Sequence, residues 1–123
     1  MLQDYLARYG DRFTSNERRQ LLSYRADADR QLAAVVVATR RLEQATATGA
    51  SLAVRRARGA AAQAAWRRAR SMADSSFASA RQILEPRLSL IERLGAARDY
   101  SPMMGRFDAL GAQIDAAAAR AAR

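Results

Sequence analysis

Six arginines, Arg55, Arg56, Arg58, Arg67, Arg68 and Arg70, form two copies of Arg-Arg-Ala-Arg inside a thirty-residue stretch, 44–73, that holds no carboxylate. A guanidinium is planar, permanently charged and shaped for paired hydrogen bonds to phosphate or carboxylate oxygens. The chemistry on offer is therefore anion binding: a nucleic-acid backbone, an anionic membrane surface or the carboxylates of a protein partner. On a helix, at about 100° per residue, Arg55, Arg56, Arg67 and Arg70 share an arc of about 120°, and Trp66 lies inside it. An aromatic ring among guanidinium groups suits phosphate contact with base stacking. Phe77, Leu84 and Ile91 fall at the same angles, however. By that reading Trp66 begins the core seam, and the arginines flank it with their stems packed down.

Other reactive groups are sparse. Asp27 and Asp29 lie close together, as do Asp108 and Asp115 one heptad apart, but neither His nor Cys occurs in the chain. Zinc sets and the ferritin-like Glu-x-x-His pattern are therefore excluded, and these carboxylates read as counter-charges for neighbouring arginines. All 21 basic residues are Arg. Without Lys, His or Cys the common nucleophile–base pairs and Schiff-base chemistry are gone as well. The expectation is a protein that is not an enzyme, with no catalytic, cofactor-binding or metal residues, no cofactor and no small-molecule substrate.

The elements that must position the arginines are helical. Thirty of the 123 residues are Ala and only two are Pro, a composition that strongly favours helix. Thirty-one bulky apolar or aromatic residues remain. They are too few for a wide interior but suit narrow seams between long helices. The net charge of +9 and pI near 11.4 draw polyanions whatever the evolved role. No apolar run is long enough for a membrane span, and the residues after Met1 lack a signal-peptide pattern, so the expectation is cytoplasmic, with an exported mature domain as the other reading.

Leu2, Tyr5, Leu6 and Tyr9 give a short amphipathic helix ending near Gly10. Thr14-Ser15-Asn16-Glu17 is a capping box that opens a helix to about Ala47, with a seam at Leu21, Ala28, Leu32, Val35 and Leu42. Residues 46–51 are the first turn, with Ser51 as the next cap. A second long helix follows from Leu52 to Leu84 or beyond. The seven-residue spacing of Phe77, Leu84 and Ile91 carries it across a kink at Pro86 to about Arg98. Asp99-Tyr100-Ser101-Pro102 is read as the second turn, since Ser at the cap and Pro at the first helical position start helices well. The last helix carries Met103, Phe107, Leu110, Ile114, Ala117 and Ala121, and its small-residue tail, 116–123, frays unless covered. Gly59 with the alanines at 60–62, 64 and 65 predicts a close helix–helix contact, within the bundle or across a dimer; the alternative is the exposed half of an interface that another protein completes.

The expected fold is all-α: a single domain, 1–123, built as an elongated antiparallel bundle. It combines a long helical hairpin, a third packed helix and a short N-terminal one, with a core of Leu32, Val35, Phe77, Leu84, Ile91, Phe107, Leu110 and Ile114. So thin a core, with surplus apolar positions at Val36, Val37, Ile83 and Leu90, points to a non-enzymatic interaction protein. It would self-associate or complete a larger complex through a helical face. The alternative is non-specific binding of nucleic acid or an anionic membrane surface through the Arg-rich helix, using Arg55, Arg56, Arg58, Arg67, Arg68 and Arg70 with Trp66.

Overall fold

A computed structural model describes the backbone of residues 2–123 and the side chains of 6–89, 91–93, 95, 98 and 100–123. Leu2 and Tyr5 of the expected N-terminal face, and Leu90 of the surplus seam, lie outside the described side chains. The chain is 91% helical, so the all-α bundle expected from composition is the fold. Its elements are α1 (Leu2–Tyr9), a 3₁₀ turn (Gly10–Arg12), α2 (Ser15–Ala47), α3 (Leu52–Leu84), a second 3₁₀ turn (Glu85–Arg87) and α4 (Leu90–Ala121). At about 1.5 Å per residue, α2 and α3 each run about 50 Å, which makes the bundle elongated.

Local chemistry accounts for the first reversal. Thr14 and Glu17 form the expected capping box at the start of α2. At its end Gly49 takes φ 66°, and Ala50 N–H donates to Ala45 O at 3.0 Å while Gly49 N–H donates to Thr46 O at 3.3 Å. This left-handed glycine closure satisfies carbonyls that the helix end leaves free. Ser51 Oγ then accepts from Val54 N–H and starts α3.

The second reversal is at residues 85–89, not at 99–102. Pro86 sits at the start of the 3₁₀ turn, where its missing N–H leaves no bond unmade. Ser89 and Glu92 form a second capping box that opens α4, while Ser101 and Pro102 lie inside that helix. The seven-residue spacing across Pro86 was therefore a coincidence of sequence: Ile91, placed in the core by it, is 82% exposed. Leu32 is the other displaced core residue, at 41%. Val35, Leu84 and Ile114 are buried as expected, and Phe77, Phe107 and Leu110 are half-buried.

α3 is the central helix. It packs antiparallel along α2 and antiparallel against α4, whereas α2 and α4 touch each other far less. One cluster joins Val35 and Leu42 of α2, Ala62, Ala65 and Ala69 of α3, and Ile114, Ala118 and Ala121 of α4. The other, at the opposite end, joins Phe13, Leu21, Ala80, Leu84 and Leu88, with Leu6 and Tyr9 against it. Small residues permit close approach in the first. A Cβ on Gly59 would stand 3.0 Å from the Cβ of Ala118, which is the contact expected from the Gly59–Ala65 stretch. The C-terminal turns of α4 are not frayed, because Ala118 and Ala121 are buried in this cluster.

Candidate basic interface

The six arginines do not act as one group. Arg70 is committed to the fold: its Nε donates to Asp108 Oδ1 on α4 at 2.9 Å and its Nη1 to Asp74 Oδ1 at 2.6 Å. The hydrogen bond to Asp108, then that to Asp74, raises its pKa above the ordinary value, so the guanidinium stays charged as a tie between α3 and α4. Tyr100 OH donates to the same Asp74 oxygen at 3.0 Å, and its ring stacks on Phe77 at 3.6 Å between centroids.

Trp66 also belongs to the α3–α4 contact. Its Nε1–H donates to Phe107 O at 3.0 Å, and the two rings stand 6.0 Å apart at a 38° tilt. The ring covers Gly111, where a Cβ would come within 2.4 Å of Trp66 Cζ2. Trp66 is thus a partly buried member of the α3–α4 packing against the core.

Arg55 is half-buried, with its Nε shielded and unpartnered among the described residues. Arg56, Arg58, Arg67 and Arg68 are exposed and make no ion pair among the described residues. Of the six, the free ones are thus Arg56, Arg58, Arg67 and Arg68, spread around α3. Arg68 lines a shallow cleft of about 280 Å³ between α2 and α3, together with Gln31, Ser71, Met72 and Ser75. Such a surface can neutralise phosphates or carboxylates but has no geometry for reading bases.

No family model, curated protein or solved structure matches the chain. The functional reading therefore rests on these surfaces alone.

The carboxylates are distributed as partners. Asp27 pairs with Arg30, Asp29 with Arg25 and Asp108 with Arg70, while Asp115 Oδ1 accepts from Gln63 Nε2 at 3.0 Å. Among the described residues no three His, Cys, Asp or Glu side chains converge as metal ligands would, and no helix is long and apolar enough to cross a membrane.

A charged cluster not expected from the sequence joins the two 3₁₀ turns. Arg12 Nη1 donates to Glu92 Oε1 and Oε2 at 2.9 and 3.0 Å, and Arg87 Nη2 donates to Glu17 Oε1 at 3.1 Å. Both glutamates are also the capping-box residues of their helices. The signal was present in the sequence as Arg-Phe-Thr-Ser-Asn-Glu at 12–17 and Arg-Leu-Ser-Leu-Ile-Glu at 87–92.

Proposed function

We propose that this chain is a non-enzymatic helical interaction protein that self-associates or completes a larger complex through a helical face. One observation carries the reading: Leu22, Leu32, Val36 and Val37 of α2 are all exposed, at 48, 41, 42 and 47%. Single exposed apolar residues are ordinary on a surface, but several on one helix are a common mark of a protein contact. Leu52 and Val54 at the start of α3 are exposed as well, at 37 and 42%.

Sedimentation over a wide concentration range, together with affinity capture using the full chain, tests it. The expected result is a concentration-dependent larger species or a captured stoichiometric partner. A monomer at every concentration, with no partner recovered, overturns it.

The second reading, non-specific binding to nucleic acid or an anionic membrane, draws support from the four exposed and unpaired arginines of α3. Contact by about four cations would give a salt slope of about −3.6 on duplex DNA. Titration on random duplex and on anionic liposomes, comparing the parent with Arg55, Arg56, Arg67 and Arg68 all changed to Gln, separates it from net charge alone. Steep, arginine-dependent binding to one polyanion supports this second reading. Weak and equal binding to both leaves the assembly reading ahead.

A further inference from the structure

The two 3₁₀ turns are copies of each other, displaced by 75 residues. Each turn carries an arginine, then a buried apolar residue, Phe13 or Leu88, in the same backbone conformation, φ −109° and ψ 145°. A Thr or Ser cap and its capping-box Glu follow in both. The ion pairs between them are reciprocal, Arg12 to Glu92 and Arg87 to Glu17, as a local two-fold axis requires. Helices α2 and α4, which leave the turns, have 33 and 32 residues. The helices that enter them do not match: α3 has 33 residues and α1 has 8.

The axis therefore relates α2 to α4 and generates a mate for α3, which α1 matches beside the turns. Because α3 lies against both α2 and α4, its symmetry mate would lie against both on the other side. The open surface has the composition this demands. Leu32 and Val36 of α2 stand where Phe107 and Gly111 of α4 meet α3, yet both are exposed. Leu110 and Ala117 of α4 stand where Val35 and Leu42 of α2 are sealed by α3, yet both are only half-buried. Val35 and Leu42 themselves are 1% exposed.

Charge distinguishes what fits there. Arg120 occupies the position equivalent to Ala45, which is buried against α3. Arg40 is equivalent to Asp115, which reaches Gln63 of α3, and Arg106 to Gln31, which lines the cleft beside α3. All three arginines are exposed and make no ion pair among the described residues, against one unpaired carboxylate on the same surface, Glu43. A second copy of a chain of net charge +9 brings the wrong sign to these edges.

We propose that the groove between α2 and α4, floored by Leu32, Val36, Leu110 and Ala117, receives an amphipathic helix of a partner protein, with small apolar residues on its buried face and carboxylates along its edges. On α4 the edge arginines run from Arg106 to Arg120, so a helix of about 25 residues, roughly 38 Å, spans them with more than a turn to spare at each end. This rests on the assembly reading above and gives that reading a surface and a partner chemistry.

The test uses the full chain and two synthetic helices of about 25 residues that share one alanine–leucine seam, with Glu at the edge positions of one and Arg at those of the other. Fluorescence anisotropy at physiological salt should show the Glu helix binding at least about tenfold more tightly than the Arg helix, a gap well outside measurement error. Leu32→Gln with Val36→Gln, both exposed and so compatible with folding, should weaken that binding by at least about tenfold. Helix content and melting should stay at the parent's values. Arg56→Gln with Arg67→Gln, on the outer face of α3, should leave binding within about twofold. Equal binding of both helices, or loss of binding in the outer-face variant as large as in the groove variant, overturns the proposal in favour of net charge. A dimer that the groove variant dissociates also overturns it, because the occupant is then a second copy, while the assembly reading survives. If neither helix binds but capture recovers another partner, the groove fails alone. If nothing is captured and the chain is monomeric, both readings fail.

Discussion

Arg12 and Glu92 lie eighty residues apart and share a two-oxygen hydrogen bond, 2.9 and 3.0 Å, that ties the turn before α2 to the first turn of α4. Arg12 Nη1 also donates to Arg87 O at 3.2 Å, and its guanidinium lies 4.7 Å from the Tyr9 ring centroid. Glu92 in turn accepts from Ser89 N–H at 3.0 Å. One carboxylate thus closes a helix cap and an ion pair together.

This arrangement should make the bundle acid-sensitive. The bond from Arg12, then that from the Ser89 backbone, lowers the Glu92 pKa from an ordinary 4.5 to about 2. Glu17 is lowered too, first by the Thr14 backbone N–H and with help from Arg87. A carboxylate whose folded pKa is depressed adds stability above its unfolded pKa and loses it as pH falls through the folded one. The melting temperature should therefore drop between pH 4.5 and about 2. Glu17→Gln with Glu92→Gln should melt lower at neutral pH and show a flatter acid limb. Thermal melts across that window check both.

Two glycines of α4 should respond oppositely to alanine. At Gly111 a Cβ meets the Trp66 ring at 2.4 Å, whereas Gly105 has nothing within 4 Å. Gly111→Ala should destabilise by about 1–3 kcal/mol despite better helix propensity, because the ring must move. Gly105→Ala should stabilise by about 0.4–1 kcal/mol. Urea unfolding measures both, and the fluorescence of Trp66 should shift only in the first.

Pro102 tests where the chain reverses. Inside α4 it removes a backbone donor, a defect worth up to about 3 kcal/mol in a helix interior. The stacked Phe77 and Tyr100 rings and buried Met104 hold the helix together across it. Pro102→Ala should therefore raise the unfolding midpoint. A drop would restore a turn at 99–102.

Ile114 and Ile91 differ only by environment, at 2% and 82% exposure. Ile114→Ala should cost about 2–5 kcal/mol and Ile91→Ala less than about 0.5 kcal/mol. Equal costs in chemical denaturation would restore the kink at Pro86 and the turn at 99–102 that the sequence suggests.

What the sequence determined by itself is chemistry that acts within about five residues or through composition. The Thr14–Glu17 box, the Gly49 closure and the Ser51 cap were legible because donor and acceptor are near neighbours in the chain. Helix content was legible from Ala and the scarcity of Pro, and so was the close contact at Gly59. Tertiary structure decided what local signals left equal. Both Pro86 with Ser89 and Ser101 with Pro102 can start a helix. Only the first lets α4 fold back so that Trp66 covers Gly111 and Arg70 reaches Asp108. The same holds for the arginines: in sequence the six are equivalent, and only packing commits Arg70 to two carboxylates and leaves Arg56, Arg58, Arg67 and Arg68 in solvent. A helix repeats its faces every three to four residues, so periodicity marks which residues share a side, while the neighbouring helix determines which side is buried.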